Sequence, residues 1–81
     1  MLVVVGSITT ATRLARLIEK NIKSPVSVVH TPSYINKGGC SYSVRFKGQY
    51  EQRIRGVVSD YNVPIKGFYY EDGRHVGNAV P

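Results

Sequence analysis

The single cysteine of this chain, Cys40, is the residue whose type and surroundings are best suited to chemistry. Gly38 and Gly39 precede it, and glycine lets the backbone adopt positive φ, so that several N–H groups converge on one anion. Positive neighbours such as Lys37 and Arg45 lower the pKa of a thiol and raise its thiolate fraction. The segment therefore predicts a sulfur nucleophile that accepts or passes on an atom. The residues expected to stabilise its anion are Lys37, Gly38, Gly39, Ser41 and Arg45.

Other interpretations of Cys40 remain open. A lone cysteine also packs in cores as a small apolar side chain without chemistry. It cannot form an intramolecular disulfide, and together with His30 and His75 it is too small a set for a four-ligand zinc site. A catalytic pair of His30 and Cys40 would lack an acid to orient the histidine, and the chain has no phosphate-binding loop motif. We therefore expect no metal and no cofactor.

Hydrophobic periodicity and turn residues predict four strands and two helices. Ser7 or Thr9 is suited to cap the first helix, Pro25 ends it, Asn62 is suited to cap the end of the second, and Pro64 forbids further helix. The predicted strands are Leu2–Val5, Val26–His30, Ser41–Phe46 and Ile65–Glu71, and the predicted helices are Ile8–Ile22 and Gln49–Tyr61. The predicted apolar stripes are Ile8, Ala11, Leu14, Ala15, Ile18 and Ile22 in the first helix and Tyr50, Ile54, Val57, Val58 and Tyr61 in the second.

This order of elements, βαββαβ, predicts a ferredoxin-like α+β fold with an antiparallel four-stranded sheet and two helices on one face. We expect residues 1–81 to form a single domain, with residues 73–81 as a loose tail. Leu2–Val5 is apolar at every position, which indicates a strand buried on both faces. The second face of the sheet is therefore expected to pair with another copy of the chain or with a partner, unless the C-terminal tail covers it.

The charge balance favours anionic partners. Eleven Lys and Arg against five Asp and Glu give a net charge of +6, which suits nucleic acid, an acidic protein face or a phosphorylated small molecule, although such charge also serves solubility alone. The apolar N-terminal run lacks the preceding positive residues of a signal peptide, and no apolar stretch approaches the roughly 20 residues needed to span a bilayer. A free cysteine fits a reducing compartment. We therefore predict a cytoplasmic protein without membrane association.

The middle of the chain resembles a known family. The run Val26–Pro32, the triplet Gly39-Cys40-Ser41 and the strand Tyr42–Phe46 are similar to the selenium/sulfur carrier-like domains, in which a cysteine begins the strand after a Thr-Pro strand end. The resemblance implies that Cys40 is the carrier thiol and that Thr31 and Pro32 form the turn that places its loop.

The same resemblance implies a carrier and not an enzyme. Cys40 would take sulfur or selenium from a donor protein such as a cysteine desulfurase and pass it to an acceptor protein. The basic helix residues Arg13 and Arg16 would dock an acidic partner.

Two other functions fit the predicted fold. RNA-recognition motifs share this element order, and Tyr42 and Phe46 alternate on one strand, where stacking aromatic residues would lie. However, Leu2–Val5 has no aromatic residue, the expected aromatic octamer is absent, and Tyr42 and Phe46 are equally suited to a core face. The second alternative is a structural subunit that pairs through its sheet.

Overall fold

The computed structural model of the chain describes residues 1–35, 41–74 and 76. Its four strands form one antiparallel sheet in the order β2-β3-β1-β4, which confirms the predicted ferredoxin-like α+β fold. A 3₁₀ turn, Gly48–Tyr50, precedes the second helix. The elements are β1 (Leu2–Val5), α1 (Ile8–Ile22), β2 (Ser27–His30), β3 (Tyr42–Arg45), α2 (Glu51–Asp60) and β4 (Gly67–Tyr69).

Helix α1 has the predicted bounds and the predicted cap. The Oγ of Ser7 accepts a hydrogen bond from the Thr10 backbone N–H at 3.2 Å, which satisfies one of the free donors of the first turn. Lys23 ends the helix in the left-handed conformation, with φ of 55°. The buried stripe is Ala11, Leu14, Ala15, Ile18 and Ile22. The prediction that Ile8 joins it was wrong: Ile8 lies in the first turn, at the margin of the stripe, and is 47% exposed.

The Ser7 cap leads to a stability prediction. We expect Ser7→Ala to lower the free energy of unfolding by about 1 kcal/mol, because the first turn of α1 loses its side-chain acceptor. Urea denaturation followed by circular dichroism measures the change. Thr9→Ala is the control, since Thr9 is exposed and its side chain bonds to none of the described residues. Equal unfolding midpoints for the two variants would contradict the capping role.

Both helices pack on the same face of the sheet. Val3 and Val5 of β1 point to this face, as do Val44 and Phe68 of the neighbouring strands. Helix α2 adds Ile54 and Val57 to the core. The prediction that Tyr61 continues this stripe was wrong, because α2 ends at Asp60 and Tyr61 is 53% exposed. Asn62, with φ of 51°, turns the chain there, as predicted for a C-terminal cap.

Strand β1 is also buried on the second face of the sheet. Leu2 and Val4 alternate with Val3 and Val5, so they point away from the helices, yet they are only 1% and 2% exposed. We call Thr31–Ile35 the crossing segment because it runs from the β2 edge over this face. At its start the Thr31 hydroxyl lies 2.8 Å from the Ser43 hydroxyl.

At the opposite sheet edge, the Tyr34 hydroxyl donates to the Glu71 carbonyl oxygen at 2.8 Å. The prediction of two-sided burial for β1 is therefore correct. In the described part of the chain, however, the segment that reaches across this face is the crossing segment, not the C-terminal tail. Pairing with a second copy stays a prediction, and Leu2 and Val4 offer it no exposed apolar surface.

The chain beyond β4 turns back along the sheet edge. The Tyr70 N–H donates to the Arg74 carbonyl at 2.8 Å, and the Val76 N–H donates to the Phe68 carbonyl at 2.9 Å. Val76 is buried in the core, although it lies in the segment predicted to be a loose tail. The Arg74 backbone N–H that donates to Asp72 lowers the pKa of that carboxyl group. Residues 75 and 77–81 lie outside the described residues, and the looseness predicted for them stays a prediction.

Candidate functional site

The thiol and the segment before it lie outside the described residues. Lys37, Gly38, Gly39 and Cys40 belong to the range 36–40, so the roles assigned to them stay predictions. The described residues that flank this range are Ile35 and Ser41. The geometry of these flanks defines where the loop with Cys40 begins and ends.

The two ends of the Cys40 loop are joined by a backbone hydrogen bond. The Thr31 N–H donates to the Ser41 carbonyl oxygen at 3.1 Å, which extends the pairing of β2 with β3 by one residue. After Thr31, the Ile35 N–H donates to the Pro32 carbonyl at 2.9 Å and forms a turn. Thr31 and Pro32 therefore lie at the start of the loop, where the sequence predicted them to place it.

A buried hydroxyl pair reinforces this junction. Ser43 is fully buried, and its hydroxyl shares the hydrogen bond with Thr31 described above. Because a buried hydroxyl without a partner is destabilising, this bond favours one position of Thr31 against β3. Ser43 lies on the face of β3 opposite Val44, and no role was predicted for it from the sequence. The sequence did offer one indication that Ser43 is buried: β1, the neighbour of β3, was predicted to be buried on both faces.

Ser41 lies at the end of the sheet where α1 begins. Val5, the last residue of β1, pairs with Tyr42, so the start of β3 lies beside the turn that leads into α1. Ser41 is 3% exposed. The N-terminus of a helix carries a partial positive charge that stabilises anions nearby. The residue bonded to Cys40 is therefore held near a positive helix end.

Arg45 lies at the opposite end of β3 from Ser41. It pairs in register with Leu2 and Ser27, and four residues of extended strand span roughly 13 Å. Its guanidinium Nε lies 3.4 Å from a carboxylate oxygen of Glu71, on the exposed rim of the sheet. The structure thus brings Arg45 to Glu71 and does not bring it beside Ser41. Its predicted contact with the thiolate stays a prediction.

Arg13 and Arg16 lie on the exposed face of α1. Lys20 shares this face, since spacings of three and four residues keep side chains on one side of a helix, and the exposed Lys23 follows at the C-terminal cap of α1. We call these four residues the α1 basic stripe. Arg13 donates to the Tyr61 carbonyl at 3.5 Å, whereas the other three form no ion pair with any acidic residue that the structure describes. The docking role predicted for the two arginines stays a prediction, and no role was predicted for the two lysines.

The aromatic residues proposed for nucleic-acid stacking contribute to the core. Phe46 is 5% exposed and makes an edge-to-face contact with Phe68, with 6.1 Å between ring centroids. Tyr42 is partly buried against the same core, and the His30 ring lies 4.7 Å from its ring. Within the described ranges, no group of three or more His, Cys, Asp or Glu side chains is arranged to hold a metal ion.

Comparison with known proteins gives one match. The family model described as "Putative Se/S carrier protein-like" matches residues 1–70, a range that contains Cys40 and all the helices and strands that the structure describes. No curated protein and no solved structure matches the chain. Of the helices described, none is both long enough and apolar enough to cross a membrane.

Proposed function

We propose that this chain, which belongs to the family described as "Putative Se/S carrier protein-like", carries sulfur or selenium on Cys40. The match over residues 1–70 is the observation that carries the proposal, because it includes the one cysteine of the chain. A carrier of these elements needs a nucleophilic atom to hold them, and a thiolate is such an atom. No other side chain in this sequence offers a sulfur nucleophile.

The transfer step is an exchange between sulfur atoms. The Cys40 thiolate attacks the terminal sulfur of a persulfide on a donor protein such as a cysteine desulfurase. A new sulfur–sulfur bond forms on Cys40, the bond in the donor persulfide breaks, and the donor thiol leaves as a thiolate. Because one thiolate replaces another, the step needs no external oxidant or reductant. Selenium transfer follows the same course and leaves a sulfur–selenium bond on Cys40.

The chain's own residues then hold the loaded anion and its loop. The hydrogen bond from Thr31 to Ser41 and the Thr31–Ser43 hydroxyl pair fix the loop ends. The positive end of α1 beside Ser41 supports a negative charge. Lys37 and the N–H groups of Gly38 and Gly39 are proposed to complete the anion site, with Arg45 acting from farther along β3.

The proposed role is that of a carrier between two proteins and not of an enzyme. A donor loads Cys40, and an acceptor protein attacks the terminal sulfur or selenium and returns Cys40 to its thiolate. Since a free thiol persists in a reducing compartment, we propose the cytoplasm as the place of transfer.

The test is intact-mass spectrometry after incubation with a cysteine desulfurase and cysteine. We expect the wild-type protein to gain the mass of one sulfur atom, to lose it on treatment with a reducing thiol, and to gain nothing as Cys40→Ser. The matched control is Cys40→Ser combined with Ser59→Cys, which keeps one thiol but moves it to an exposed position on α2. Absence of added sulfur on the wild type, or equal loading of the relocated thiol, would reject Cys40 as a carrier site.

A further inference from the structure

A small groove lies between the two helices, on the side away from the sheet. Its lining comes from Leu17, Lys20 and Asn21 of α1 and from Val57 and Tyr61 at the end of α2, and its volume is about 190 Å³. Val57 is 3% exposed, Leu17 is partly buried, and Tyr61 is 53% exposed. The α1–α2 groove therefore has a mixed lining, in which Leu17 and Val57 supply apolar surface beside the exposed ring of Tyr61 and the remaining side chains are polar.

The charge around the α1–α2 groove is positive, and within the described ranges no acidic side chain forms an ion pair with the α1 basic stripe. Lys20 belongs both to the groove and to the α1 basic stripe, and Arg13 is held at the other side by its bond to Tyr61. The acidic side chains of the chain are mostly engaged elsewhere: Glu19 with the Val26 N–H, Glu51 with Arg55, Glu71 with Arg45 and Asp72 with Arg74. Asp60, next to Tyr61 in the chain, is exposed and forms no ion pair with a described residue. Asp60 and Glu19, whose charge a backbone N–H does not remove, thus stand against four basic residues on this side of the molecule.

We infer that the α1–α2 groove is a docking surface for an acidic segment of a partner protein. One apolar side chain of that segment enters the groove, and its Asp or Glu carboxylates pair with Arg16, Lys20 and Lys23. The volume supports a single anchoring side chain, because sites for whole small molecules are larger, about 300–1,000 Å³. This inference extends the docking predicted for Arg13 and Arg16 and does not depend on sulfur transfer.

The surface fits an acidic protein better than a nucleic acid. Proteins that bind single strands place successive bases on a series of aromatic rings, and the α1–α2 groove offers one ring, that of Tyr61. Ferredoxin-like RNA-binding domains bind through the open face of the sheet. In this chain that face carries Leu2 and Val4, and both are buried. A groove with two aliphatic side chains, one aromatic ring and cations beside it matches the chemistry of an amphipathic acidic segment.

The test begins with selection of binders to the wild-type protein from a random peptide library. We expect the selected peptides to combine Asp or Glu with at least one large apolar residue. Their affinities are then measured by fluorescence anisotropy. Arg16→Glu with Lys20→Glu is expected to weaken binding by about tenfold or more, because each substitution turns an attraction into a repulsion. Tyr61→Ala is expected to weaken it through loss of contact with the apolar side chain.

The control is Lys47→Glu with Lys66→Glu, which makes the same charge change at two exposed positions away from the groove and should leave the affinities unchanged. Failure to select a binder, selection of peptides without acidic residues, or equal losses in the two double variants would overturn the inference. Tighter binding of an oligouridine strand than of the selected peptides, lost in Arg16→Glu with Lys20→Glu, would assign the surface to nucleic acid instead. Sulfur loading is measured separately by mass, so either proposal can fail while the other stands.

Discussion

Val4→Lys is expected to abolish the folded state or to lower its free energy of unfolding by about 3–5 kcal/mol. Val4 lies on the second face of the sheet, the face that the crossing segment spans, and is 2% exposed. Burial of an unpaired ammonium group costs several kcal/mol, and total stability of a domain of this size is of similar magnitude, roughly 4–12 kcal/mol. Arg45 lies on the same face, so its positive charge repels the new ammonium group and does not compensate it. Urea denaturation followed by circular dichroism measures the effect.

Ser27→Lys is the matched control for this substitution. Ser27 lies on the same face and pairs directly with Arg45, but it is exposed on the edge strand β2. The new ammonium group lies near the same arginine but in water, so we expect the free energy of unfolding to change by no more than about 0.5 kcal/mol. Similar stabilities for the two lysine variants would show that the second face is open to solvent. In that case its apolar residues would again be available for pairing with a second copy of the chain.

The burial of β1 on the second face of the sheet was predicted from the sequence only in part. The unbroken apolar run of Leu2–Val5 predicted burial on both sides, because no strand with one wet face has this pattern. The pattern does not indicate which segment of the chain covers the second side. The crossing segment is held on this face by a hydrogen bond between Tyr34 and Glu71. These two residues are 37 positions apart, in loops whose sequences have no periodicity. Helix periodicity, by contrast, is local, and it predicted the bounds of α1 correctly.

The candidate site shows the same division between local and long-range information. Arg45 lies on the face of β3 that also carries Ser41 and Ser43, as the alternation of side chains along a strand requires. Alternation does not measure distance along a strand, and the register puts Arg45 beside Leu2 and Glu71 instead. Periodicity likewise predicted that the α1 arginines are exposed. That Arg16 and Lys20 remain without an acidic partner depends on where five acidic residues lie after folding, and no local pattern contains this information.

Gly73→Ala is expected to destabilise the protein by about 2–3 kcal/mol and to loosen the crossing segment. Gly73 has φ of 92°, a conformation that costs an L-residue about 1–2 kcal/mol. A Cβ atom there would lie 2.5 Å from Cδ1 of Tyr34, so the ring must move. Its movement breaks the hydrogen bond from the Tyr34 hydroxyl to the Glu71 carbonyl, which adds about 1 kcal/mol. Urea denaturation measures the loss, and hydrogen exchange at the Ile35 N–H, which donates to the Pro32 carbonyl within the crossing segment, reports the loosening.

Gly56→Ala is the control, and its expected effect on stability has the opposite sign. Gly56 lies inside α2, no atom lies within 4 Å of its added Cβ, and alanine in a helix is about 0.5–1 kcal/mol more favourable than glycine. The same chemical change should therefore stabilise the protein at position 56 and destabilise it at position 73. Tyr34→Ala removes the ring that Gly73→Ala displaces, so the double variant should lose less than the sum of the two single variants. Additive losses would mean that Tyr34 does not pack on Gly73 and that the crossing segment is held in another way.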